Sequence, residues 1–90
     1  MILTKDIENK ILKDFSSNSE HHSVRHLLEK IALTEWNVGS QQLCRAILYL
    51  LDGDVSKLKK FELISDPRDV ITEAENKAGN PGHYFEKPFT

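Results

Sequence analysis

His22, His26 and Glu29 stand four and three residues apart, so a continuous helix would carry all three on one face. Imidazole nitrogens at that spacing can share a divalent metal ion, with a carboxylate as a further ligand. No fourth ligand is defined, and the segment lacks the His-Glu-x-x-His arrangement of a zinc protease. The plainer reading of the same residues, and the preferred one, is a partly exposed surface of protonatable imidazoles. A second cluster, Asp66, Asp69 and Glu73, forms an acidic edge at steps of three and four. Paired carboxylates serve as acid and base when burial separates their pKa values. Here helix capping and the helix dipole already account for Asp66 and Asp69, which leaves the edge to meet Arg45 within the fold or a basic partner outside it.

Three further groups reduce to structure or to weak binding. Lys57, Lys59 and Lys60 could follow a turn as the second helix of a helix-turn-helix, but no cluster of base-reading side chains accompanies them. They would touch phosphates alone. Asp52-Gly53-Asp54 suggests a calcium loop, yet counting from Asp52 puts Lys57 where the glycine should stand and Leu63 where the bidentate acid should stand. Cys44, the chain's 1 cysteine, lies in an apolar run with no histidine near it, so it reads as packing and not as a nucleophile. There is no glycine-rich phosphate loop and no serine elbow, and no cofactor is implied.

The element that must position all of these is Ser40 to Asp54, SQQLCRAILYLLDGD. Ser40 can cap a helix from Gln41, and Gly53 supplies a left-handed terminator. Leu43, Ile47, Leu50 and Leu51 share one side with Cys44 and Leu48 flanking, an apolar arc wide enough to be surrounded. A narrow polar line, Gln42, Arg45, Tyr49 and Asp52, reads as a seam to solvent or to a neighbouring helix.

Four more helices are expected around it. Thr4 can cap a first, from Lys5 to about Phe15, with Ile7, Ile11, Leu12 and Phe15 inward. Ser16 to Glu20 has loop composition, so a second helix should begin between Ser19 and Ser23 and run to about Trp36, with Val24, Leu27, Leu28 and Ile31 inward. Asp54 can cap a third, from Val55 to about Ile64, in which Val55, Leu58 and Phe61 face the core. Asp66-Pro67 starts a last one to about Lys77, with Val70, Ile71 and Ala74 inward. Residues 82–90 read as an extended tail whose Tyr84, Phe85 and Phe89 either strap back onto the helices or meet a partner.

Over Arg45 to Phe61, RAILYLLDGDVSKLKKF, and Asp66 to Glu75, DPRDVITEAE, the chain resembles a group of small bacterial proteins of unknown function. That resemblance implies a bacterial, cytoplasmic, helical protein and brings no site residue or cofactor with it.

The totals agree with one modest domain. Ninety residues give a single core, here residues 1–90. Twelve basic against 14 acidic residues leave a formal charge of −2, which gives no bulk attraction to nucleic acid or an anionic membrane. An acidic residue as early as Asp6 and the absence of a long apolar segment argue against export and membrane insertion, so a cytoplasmic location is expected. The expected fold is all-α, a bundle of about five short helices around a central apolar helix. The expected function is a non-enzymatic protein-interaction module, such as an adaptor, inhibitor or immunity-type factor, using Tyr84, Phe85, Phe89, Asp69 and Glu73. Its partner is another protein, and a second copy of the chain is compatible. The alternative is a metal- or small-molecule-binding protein using His22, His26 and Glu29; a third reading is nucleic-acid binding through Lys57, Lys59 and Lys60.

Overall fold

A computed structural model describes residues 3–15, 17–34, 39–62 and 66–79. Within them the chain forms α1 (Lys5–Asp14), α2 (Asn18–Leu33), α3 (Ser40–Leu51), a 3-10 helix η1 (Val55–Phe61) and α4 (Pro67–Ala78), with no strand among the described residues. The protein is an all-α bundle. The expected tail with Tyr84, Phe85 and Phe89, and the expected helix ends at Trp36 and Ile64, lie outside the described residues.

α3 touches α1, α2, η1 and α4. Leu43, Cys44, Arg45, Ala46, Ile47 and Leu48 are buried in unbroken succession, and Leu50 and Leu51 follow. Successive helical residues are about 100° apart, so such a run has neighbours on every side. Its start differs from expectation: Ser40 is the first helical residue, and Gly39 precedes it as the cap without a side-chain bond. Its end combines two left-handed residues, Asp52 at φ 49° and Gly53 at φ 76°, where glycine alone was expected. Asp54 N–H bonds back to the Leu51 carbonyl at 2.9 Å. This is the type I′ pattern that Asp-Gly favours. A Cβ on Gly53 would stand 3.2 Å from the Asp14 carbonyl oxygen, so the turn also lies close against the end of α1.

Ile7 and Ile11 of α1, with Leu3 just before the helix and Phe15 at its C-cap, face the core at steps of four. Leu12 was expected beside them but is 55 % exposed, because it lies a further fraction of a turn around from Ile11, beyond the contact with its neighbours. α2 begins at Asn18, inside the segment expected to be loop. Ser17 Oγ accepts from Glu20 N–H at 3.2 Å, and Ser-x-x-Glu is the signature of a capped start. Val24, Leu27, Leu28 and Ile31 are buried as their spacing requires. In α4, Asp66 accepts from Arg68 N–H at 3.0 Å, Pro67 occupies the first turn, Ile71 and Ala74 are buried, and left-handed Gly79 ends the helix.

Residues 55–61 were expected to form an ordinary helix and instead form a 3-10 helix. Val55, Leu58 and Phe61 are spaced by threes, which a 3-residue turn stacks on one face and an α-helix would spread around the axis. Asp54 accepts from Ser56 N–H at 3.0 Å and starts the element.

The polar line on α3 is a seam between helices. Arg45, only 6 % exposed, donates from Nε to Asp6 Oδ2 at 2.9 Å and from Nη2 to Asp6 Oδ1 at 3.3 Å. Thr4 stands at the N-cap position of α1 as expected, but its side chain makes no capping bond: its hydroxyl donates to Asp6 and accepts from Arg45 Nη2 at 3.5 Å, and its backbone N–H donates to Gln41 Oε1 at 3.4 Å. Further along, Lys77 of α4 lies 5.4 Å from the Tyr49 ring centre and 3.9 Å from Asp52.

Truncating one member of a buried ion pair strands the other charge, at a cost of about 3 kcal/mol or more. Asp6→Ala should therefore lower the unfolding free energy by roughly that amount, measured by urea denaturation. The Asp6→Ala/Arg45→Met double variant should lose less than the two single variants added together; strict additivity would show that the pair is not coupled.

Candidate functional site

α2 and η1 border a cleft of about 840 Å³. α2 contributes His22, Ser23, His26, Leu27 and Lys30, and the η1 segment contributes Val55, Ser56, Leu58, Lys59 and Glu62. A volume of this order is typical of sites that hold a ligand or a piece of a partner.

Local folding explains who lines it. The capped start of α2 is reinforced by His21, whose Nε2 donates to the Phe15 carbonyl. With the helix phase fixed by buried Val24, Leu28 and Ile31, the ridge His22, His26, Lys30 turns outward at steps of four. On the other wall, buried Phe61 pins η1 to the core, which leaves half-buried Val55 and Leu58 on the cleft side. The result is an apolar floor of Leu27, Val55 and Leu58 beneath two ammonium groups, one carboxylate and two imidazoles. The His22 and His26 rings lie nearly parallel, 6.4 Å apart with 17° between their planes.

The Asp54 cap that begins η1 is held by charge-assisted bonds. The Ser56 hydroxyl first, and its backbone N–H second, keep the Asp54 carboxyl below its ordinary 3.8. A depressed folded-state value means that this contribution is whole above the ordinary carboxylate value and disappears as pH falls through the folded one.

The structure distributes the other expected site residues differently. Glu29 is half-buried on α2 and does not join His22 and His26 at the cleft. Among the described residues no three His, Cys, Asp or Glu side chains converge as metal ligands. Asp69 is exposed in the first turn of α4. Glu73 accepts from Lys60 Nζ at 3.1 and 3.3 Å, so an interaction expected with Arg45 or a partner is made to η1. Both side chains of that pair are at least half exposed, which limits it to well under about 1 kcal/mol. The three lysines read as a possible phosphate-binding group have separate surroundings: Lys59 borders the cleft, Lys60 pairs with Glu73, and Lys57 is exposed. Seven residues of 3-10 helix also depart from the α-helix that a helix-turn-helix lays in the major groove.

Lys30 was missed from sequence although the signal was present. It continues the four-residue step of His22 and His26, whereas Glu29 does not. The η1 wall had no local signal, since it depends on contacts between distant parts of the chain.

No family model, curated protein or solved structure matches this chain in the three comparisons made. The resemblance over Arg45 to Glu75 therefore adds nothing to what the residues themselves say. No helix among the described residues is long and apolar enough to cross a membrane.

Cys44 offers no chemistry in the folded state. Burial pushes its thiol up to about 12, against a smaller lowering by neighbouring Arg45, and its Sγ lies 3.5 Å from the Leu28 carbonyl. A thiol-selective reagent at pH 8 should leave the native protein unlabelled and react in step with urea unfolding; rapid labelling without denaturant would contradict this placement.

Proposed function

We propose that the protein is a non-enzymatic protein-interaction module that holds a partner in the cleft between α2 and η1, in the manner of an adaptor, inhibitor or immunity-type factor. The observation that carries this reading is the combination of an apolar floor with a charged rim at that cleft. Apolar area gives a partner affinity, and the rim gives it orientation. The Cys44 thiol is buried and raised, Asp66 caps α4, and Glu73 is paired with Lys60, so these three side chains are already employed in the fold. Metal or small-molecule binding through His22, His26 and Glu29 is the less favoured reading, because the three do not line one site. Nucleic-acid binding through Lys57, Lys59 and Lys60 is less favoured because the three have separate surroundings.

Ser23 is exposed and lines the cleft, so Ser23→Trp should fill it while leaving the fold intact. Capture from source lysate should yield a stoichiometric protein with the wild type and lose it with Ser23→Trp, at an unchanged melting temperature. Equal recovery by both proteins would place the interaction elsewhere, and a bound metal or metabolite lost on Ser23→Trp would favour the less favoured reading.

A further inference from the structure

We infer that the occupant of the α2–η1 cleft is a short, acidic, amphipathic segment of the partner. The inference rests on the interaction reading above and names the chemistry of the partner.

Charge sets the sign. Among the described residues that line the cleft, the two ammonium groups of Lys30 and Lys59 outnumber the one carboxylate, Glu62, so this part of the rim carries an excess positive charge. The protein as a whole has the opposite sign, −2, which makes the cleft a local exception. An acidic segment is steered toward this patch, and a basic one is repelled from it. Leu27, Val55 and Leu58 add a requirement that a small inorganic anion does not meet, namely apolar groups on the face opposite the charges. A segment with carboxylates along one edge and aliphatic or aromatic side chains along another satisfies both.

Length follows from the walls. From His22 to Lys30 α2 rises about 12 Å, and from Val55 to Phe61 the 3-10 helix likewise rises about 12 Å. A groove of that length accepts about two turns of an α-helix, roughly eight residues, with apolar anchors three and four apart.

The test is a displayed library of random peptides of about twelve residues, long enough to contain two helical turns. It is selected on the wild-type protein and counted against Ser23→Trp and a Lys30→Glu/Lys59→Glu double variant. The expected binders are lost on Ser23→Trp, are rich in Asp and Glu with apolar residues three or four apart, and bind the charge-reversed protein at least about tenfold more weakly. Cleft-dependent binders without acidic enrichment would overturn the partner chemistry and leave the interaction reading standing. A selection yielding no binder that Ser23→Trp removes would overturn both readings together.

Discussion

Arg45 is a charged residue in the middle of a helix that has neighbours on every side, and the bundle is arranged to accommodate it. Leu43 through Leu48 are buried without a gap, so α3 has no solvent stripe on which a guanidinium could rest. Asp6 answers it from α1 with two bonds, and Thr4 holds both partners. Each buried aliphatic side chain around it contributes about 1.5–3 kcal/mol in any register that keeps it from water. The Asp6–Arg45 geometry works in one register only. The apolar run supplies most of the stability, and the ion pair fixes how α1 lies along α3.

That fixed arrangement determines what is left at the surface. With α1 and α4 packed against α3, the remaining contacts of α3 go to α2 and η1. Both of these elements are anchored from below, α2 by Val24, Leu28 and Ile31 and η1 by Phe61, and their outer edges do not close over one another. The cleft is thus a consequence of two differently pitched helices sharing one support. A 3-10 helix stacks its apolar residues in a line and has a narrower body than an α-helix, so it covers less of its neighbour. Leu27, Val55 and Leu58 form the floor because neither element is wide enough to cover it.

Much of this architecture could be read from residue order. The unbroken apolar stretch in α3, the four-step ridge in α1, the inward set of α2 and the Asp66-Pro67 start of α4 all depend on local periodicity or local capping. Ser17-x-x-Glu20 was equally local, and it was masked by the loop-like composition of the serines around it. Other features needed the third dimension. Thr4 has the right type and place to cap α1, but Asp6 and Arg45 compete for its hydroxyl, and Arg45 lies 41 positions away. The period of three in Val55, Leu58 and Phe61 does distinguish a 3-10 from an α-helix, although over seven residues the difference is small. The candidate site combines both kinds: His22, His26 and Lys30 follow a visible four-residue step, while the wall opposite them depends on where the Leu51 to Asp54 turn sends the chain.

Function follows from the same division of labour. The polar groups most suited to chemistry are occupied in holding the fold, as with the Arg45–Asp6 pair and the buried Cys44 thiol, or lie in caps and surface pairs. Two imidazoles, two ammonium groups and a carboxylate border one concave surface over an apolar floor of Leu27, Val55 and Leu58. The measurement that tests this account most directly is amide hydrogen exchange of the protein alone and saturated with its captured partner. Slowed exchange confined to residues 22–30 and 55–62 is the predicted result. Protection along α1 or the acidic edge of α4, with the cleft exchanging as before, would contradict it.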